Sequence, residues 1–151
     1  MIGIIGAMDT EVDNIKAQVK GKTVSFIAGV EFVCGFIEDV TVCVAKCSPG
    51  KVNAAICTQA MIDNFDIDMI INVGVACSLS KDVIIKNVVI ATDVCEYDID
   101  ITALGEPRGF INGLNVIKVK TDEKISELLA RTAISCGEKI QAAIPLFQAR
   151  N

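Results

Sequence analysis

Met1-Ile-Gly-Ile-Ile-Gly-Ala-Met-Asp-Thr-Glu-Val12 decides the fold. Its first half is a short apolar run closed by a glycine, the pattern of a strand buried on both faces. Asp9 or Thr10 can cap a following helix, with Glu11 in the first turn and Val12, Ile15 and Val19 on one face. Gly21 is the expected stop. A buried strand feeding directly into an amphipathic helix is the opening unit of an α/β layer fold.

The chain continues in the same vein. Thr23–Ala28, Glu31–Ile37 and Val40–Ala45 are β-branched and aromatic runs with short breaks, predicting an antiparallel meander. Pro49-Gly50 marks a change of period, and Lys51–Asn64 predicts a well-buried helix. Asp68–Val73 reads as a buried strand running into Gly74-Val-Ala-Cys-Ser. Asn87–Val94 and Asn115–Val119 are further candidate strands. Cys95–Ile101 alternates, with Glu96, Asp98 and Asp100 on one face. Thr121 caps a last helix whose stripe is Ile125, Leu128, Leu129, Ala133 and Cys136. The expected fold is three-layer α/β/α with a mixed central sheet, in one domain over residues 1–151.

Composition removes whole classes of function. In 151 residues there are 14 basic and 19 acidic side chains, a net charge of −5, so no basic footprint for nucleic acid or an anionic membrane is present. There is no histidine, which excludes a Ser-His-Asp triad, a Cys-His pair and every His-containing zinc site. The seven cysteines are an odd number with no C-x-x-C pair; they read as reduced, mostly buried thiols of a cytoplasmic protein. The longest uncharged stretch, Met69–Ser80, is far short of the roughly 20 residues that span a bilayer. Mean hydropathy is +0.51, high for a free-standing domain, and points to apolar surface covered by a partner or a missing segment.

Few local motifs carry chemistry. Gly3-x-x-Gly6 lacks the dinucleotide pattern, and Gly50-Lys51 lacks the rest of a phosphate loop. Glu96, Asp98 and Asp100 suit a solvated strand face better than a cation site, because same-face neighbours lie about 6–7 Å apart. Glu11 stands just past the first strand, where open α/β sheets place ligands. A carboxylate there can act on a water or simply balance the helix dipole. Asn72-Val-Gly-Val-Ala-Cys77 offers small residues after a strand, either for close approach to a ligand or for tight packing.

Four blocks together resemble the 5′-methylthioadenosine/S-adenosylhomocysteine nucleosidases. The opening matches "IGIIGAM-x-x-EV", and Lys46–Ala55, Asp68–Ala76 and Tyr97–Gly105 follow in order and spacing, the last matching "D-x-D-V-T-A-F-G". The match runs from Met1 to about Ile140. The resemblance implies a purine-nucleoside-phosphorylase-like fold and hydrolysis of an N-glycosidic bond, releasing adenine from methylthioadenosine or S-adenosylhomocysteine. It gives Glu11 the task of orienting or deprotonating the attacking water, with no metal and no organic cofactor. Met8, Pro49 and Ile101 fall where the family lines the ribose and alkylthio pocket; Val75, Ala76 and Cys77 fall on the backbone near ribose and base. It also implies a homodimer in which the loop matched by Leu104–Phe110 closes a neighbour's pocket.

Departures temper that picture. A family serine is Val75 here, the glycines of "S-A-G-G" are Cys77 and Ser78, and "S-G-I-G-K" is Cys47-Ser48-Pro49-Gly50-Lys51. The family's last third, with its "I-V-S-G-D" strand and the aspartate that protonates adenine, has no counterpart in the 151 residues. The sequence therefore reads as an incomplete domain with impaired activity, and residues 142–151 as a non-native tail. Codons within the degeneracy of Ala143–Arg150 give Tyr-Thr-Ile-Val-Ser-Gly-Glu when read one base earlier, so a shift of reading frame is the expected origin. The alternative is a non-catalytic nucleoside-binding or dimer-forming module of the same fold.

Overall fold

The computed structural model describes residues 1–138 and 140–141; the expected tail at 142–151, with its frame-shift reading, lies outside them. The chain divides into two compact units, the first Met1–Ala76 and the second from Cys77 onward.

The first unit is one five-stranded mixed sheet with a helix on each face. Its strands are β1 (Ile2–Gly6), β2 (Lys20–Ile27), β3 (Val30–Ile37), β4 (Val40–Lys46) and β5 (Met69–Asn72), in the order β2-β3-β4-β1-β5. Strands β2, β3 and β4 form the antiparallel meander. Strand β1, between β4 and the edge strand β5, runs parallel to β4, from Ile2 opposite Val42 to Gly6 opposite Lys46, and parallel to β5, from Ile2 opposite Met69 to Ile5 opposite Asn72.

Strand alternation sorts the core into two layers. On one face Ile2 and Ile4 of β1, Val33 of β3, and Val42 and Val44 of β4 pack on Val12, Ile15 and Val19, from helix α1 (Asp9–Gln18) and its end. On the other, Ile5, Phe32, Cys43 and Ala45 pack on Cys57, Ala60 and Met61 of helix α2 (Lys51–Asn64). Phe32, Met61, Val12 and Val44 are fully buried, each contributing about 1.5–3 kcal/mol by leaving water.

Local expectations shift in instructive ways. The N-cap of α1 is Met8, not Asp9 or Thr10. Asp9 is drawn instead into an ion pair with Lys46 (Nζ–Oδ1 2.8 Å). The helix ends at Gln18, before Gly21, because Lys20 already enters β2; a register shift between Lys20 and Thr23 takes up Gly21 at φ +60°. Helix α2 has the predicted bounds but is buried on one face only, leaving Val52, Ile56 and Ile62 exposed.

The second unit is built from short pieces. Strands β6 (Val88–Val89) and β9 (Ile140–Gln141) pair in parallel, while β7 (Asp93–Cys95) and β8 (Lys118–Lys120) pair antiparallel. Helix α3 spans Glu123–Ser135. Its cap is Asp122, whose Oδ1 accepts from Ile125 N–H at 3.0 Å; Thr121 instead donates its hydroxyl to the Ala91 carbonyl at 2.8 Å. The predicted strand Asn87–Val94 is broken in two. The alternating run Cys95–Ile101 leaves β7 as a turn at Tyr97-Asp98, closed by the Ile99 N–H on the Glu96 carbonyl at 3.2 Å. Beyond it Asp100 takes the Thr102 N–H and hydroxyl on one oxygen and Arg108 on the other, an Asx-type turn that keeps the chain from resuming a strand. Neither Leu128 nor any other residue of the α3 stripe is buried among the described residues.

Candidate active site

All three parallel strands of the first unit end on the same side, and their loops leave there together. Strand β1 exits into Ala7–Asp9, β4 into Cys47–Gly50, and β5 into Val73–Ala76. Backbone bonds hold these exits side by side: Cys47 N–H donates to the Gly6 carbonyl at 2.9 Å, and Val73 N–H to the Ile5 carbonyl at 2.9 Å. The connection leaving β1 runs through α1 on one face, whereas the connection leaving β4 runs through α2 on the other. A crevice between strands whose connections diverge to opposite faces is where open α/β sheets bind ligands.

Glu11 stands at these strand ends, bonded to the exits of β1 and β5. It is the third residue of α1, so its side chain turns back toward the helix start, as the acidic member of a capping box does. Its Oε2 accepts from the N–H groups of Ala7 (2.7 Å) and Met8 (2.9 Å), and its Oε1 accepts from Val75 N–H at 3.0 Å. Val75 N–H foremost, then those of Met8 and Ala7, hold the carboxyl below its ordinary range, partial burial opposing them. The group is therefore ionised at neutral pH. A carboxylate offers about four lone-pair sites; three are taken by backbone, which leaves one for an incoming O–H.

Two glycines make the clamp possible. A Cβ on Gly74 would stand 2.7 Å from Glu11 Oε1, and one on Gly6 would stand 2.7 Å from Val12 Cγ1 and 3.2 Å from Glu11 Cβ. Any side chain at either position would push the carboxylate or its helix away. At the rim, Lys46 pairs with Asp9; each holds the other charged, Asp9 shifted down and Lys46 up, chiefly through their hydrogen bond. Burial pushes the Cys47 thiol up, and the Glu11 charge pushes it further. Cys47 is thus a neutral wall.

The predicted site residues fall into two groups. Met8, Pro49, Val75 and Ala76 sit on the three loops of the first unit and Glu11 in the first turn of α1, where hydrogen bonds join it to Met8 and Val75. Pro49 is exposed, with its carbonyl accepting from Asn53 Nδ2 at 2.8 Å. Cys77 and Ile101 belong to the second unit, where Cys77 is exposed and Ile101 is half-buried at the head of the short 3-10 turn Thr102–Leu104. The Asp9–Lys46 pair had no signal of its own in the sequence, since its members lie 37 positions apart; Gly74 belongs to the small-residue run Asn72–Cys77, and its close approach is to Glu11. Among the described residues no group of three or more Cys, Asp or Glu could hold a metal ion, and no helix is long and apolar enough to cross a membrane.

Residues 1–145 match the sequence profile of the phosphorylase superfamily. The chain belongs to that superfamily. Among curated relatives it is similar to the 5′-methylthioadenosine/S-adenosylhomocysteine nucleosidase of Bacillus pumilus, 38% identical over 94% of this chain and 61% of the relative. The nucleosidase of Shewanella piezotolerans is 40% identical over 72% of this chain and 47% of the relative. Among solved structures, the Neisseria meningitidis nucleosidase in complex with methylthio-immucillin-A superposes with a TM-score of 0.89 at 26% identity, over 94% of this chain and 62% of that one. The futalosine hydrolase of Helicobacter pylori superposes with a TM-score of 0.86 at 28% identity, over 93% and 60%. The chain thus spans about three fifths of the curated Bacillus relative, and its mixed sheet between helices is the superfamily's fold.

Proposed function

We propose that this superfamily member acts on nucleosides, hydrolysing the N-glycosidic bond of methylthioadenosine or S-adenosylhomocysteine to adenine and a thioribose, with Glu11 as the group that handles water. The carrying observation is the clamp: an ionised carboxylate in the sheet-end crevice with three lone-pair sites filled and one open. A carboxylate so heavily hydrogen-bonded is a weak base, and its low pKa favours orientation over outright deprotonation. The water donates one hydrogen to Glu11 and presents its lone pair to the anomeric carbon. As the glycosidic bond breaks, positive charge on the sugar is offset by the nearby negative charge of Glu11; the bonding electrons leave with the purine, which takes up a proton to become adenine, and the water bonded to the anomeric carbon gives its proton to Glu11 and thence to solvent.

Met8, Pro49, Val75, Ala76, Cys77 and Ile101 are proposed to line the substrate site. Met8 and Pro49 supply apolar contact from the loops after β1 and β4, and the Val75–Ala76 backbone runs past the carboxylate. Val75 carries no hydroxyl, so a side-chain hydrogen bond available to a serine is not made here. The resemblance puts the acid that protonates adenine beyond the residues it matches, and the 151-residue polypeptide assayed alone is proposed to turn over slowly. A homodimer is proposed on the exposed apolar residues Val52, Ile56 and Ile62 of α2 and Leu104 in the 104–110 loop.

Adenine release from methylthioadenosine and S-adenosylhomocysteine, with hypoxanthine release from futalosine as the comparison, tests the reading. Release from either of the first two, lowered about 10²–10⁴-fold by Glu11→Gln with folding retained, supports it. Undiminished turnover in that variant refutes the assignment of Glu11. Saturable nucleoside binding without release would favour the non-catalytic module.

A further inference from the structure

The layer between the sheet and α2 holds four thiols: Cys43, Cys47 and Cys57 in its buried cluster, and half-buried Cys34 packed against them. Cys34 of β3 and Cys43 of β4 are direct partners in the antiparallel register. Their Sγ atoms lie 2.7 Å apart, in contact but longer than the roughly 2.05 Å of a covalent S–S bond. Opposed strand residues place their Cβ atoms about 4.5–5.5 Å apart, and a disulfide needs about 3.5–4.5 Å. A small local approach of two strands therefore suffices.

We propose that Cys34 and Cys43 are an oxidisable dithiol, a modification site that a hydroperoxide converts to a cross-strand disulfide. Cys34 is half-buried and the more accessible residue of the two, and Cys43 is fully buried. The Cys34 thiolate attacks one peroxide oxygen; the O–O bond breaks, and the departing hydroxide takes a proton to become water. Cys43 sulfur then attacks the resulting sulfenic sulfur, the S–O bond breaks, and a second water leaves with the Cys43 proton. Two thiols and one hydrogen peroxide become one disulfide and two waters. Burial pushes both thiols up, so the thiolate fraction is small and the reaction is slower than at an activated cysteine. The bridge ties β3 to β4, the strand that borders β1 and ends at Lys46 and Cys47 beside the carboxylate.

The sequence makes the product easy to read, because no Lys or Arg lies between Lys22 and Lys46. The reduced, folded 151-residue chain is treated with hydrogen peroxide, then denatured, alkylated and digested with trypsin. The expected peptide 23–46 is lighter by two hydrogens and takes up no alkylating agent. Cleavage after glutamate leaves Phe32–Glu38 and Asp39–Lys46 joined until dithiothreitol is added. In Cys43→Ser the reaction stops at a Cys34 sulfenic acid trapped by dimedone, and in Cys34→Ser Cys43 remains fully alkylated. The proposal is overturned if both cysteines are alkylated at doses that oxidise the exposed Cys77 and Cys136. A bridge from Cys43 to Cys47 or Cys57, or a Cys34 sulfinic acid beside an alkylated Cys43, overturns it too.

Discussion

Gly74→Ala is the sharpest perturbation of the carboxylate clamp. The new methyl carbon would sit 2.7 Å from Glu11 Oε1, against the 3.4 Å at which ordinary contact begins. The oxygen must retreat by about 0.7 Å if the backbone stays in place. The Val75 N–H bond, 3.0 Å long in the native protein, then stretches to roughly 3.7 Å, beyond hydrogen-bond range. Val75 N–H is the strongest of the influences that lower the Glu11 pKa, so its loss raises the carboxyl toward the ordinary glutamate range. Carboxyl carbon NMR during a pH titration reads the effect directly, without requiring turnover. Displacing a positioning group by about 1 Å can also cost on the order of 10²-fold in rate, so adenine release should fall as the pKa rises. An unchanged Glu11 titration in a folded Gly74→Ala protein would refute the clamp as drawn.

Stability at low pH follows from the same carboxyl: its folded-state pKa is depressed, so its stabilisation is present above the unfolded value and lost as pH falls through the folded one. Urea melts of the wild type should weaken through that acid window more than those of Glu11→Gln. At the alkaline end the sign reverses, because burial pushes Cys57 from 9.0 up to about 11; stability holds below pH 9 and declines as pH rises through 11, and Cys57→Ala should flatten that decline. Phe32→Ala, which empties a fully buried position packed 5.3 Å from the Phe65 ring, should cost about 3–5 kcal/mol in urea unfolding; a loss under 1 kcal/mol would contradict the core assignment. Sedimentation at micromolar concentration should give a mass above the 16.1 kDa of one chain, and a clean monomer would remove the proposed dimer.

Most of the first unit was legible in its local patterns. The apolar run at Met1–Gly6, the three β-rich runs and the Ala- and Ile-rich Lys51–Asn64 each form the predicted element within a few residues, although Lys51–Asn64 buries one face only. The place of Glu11 at the start of α1, just past β1, was legible too, whereas local pattern left it open between acting on a water and balancing the helix dipole, and only the resemblance gave it a role. Tertiary structure decided what local patterns could not encode. Asp9 forgoes the cap for Lys46, 37 residues away, and Val75 N–H meets Glu11 across 64 residues. It brought Cys34 against Cys43 through strand register alone. In the second unit the alternation of Cys95–Ile101 lost to a turn closed between Glu96 and Ile99, since a period of two specifies a strand only where a sheet face buries one side of it. Periodicity reports which side of an element meets a core; which distant groups meet there is fixed by chain topology, and a local pattern contains no record of it.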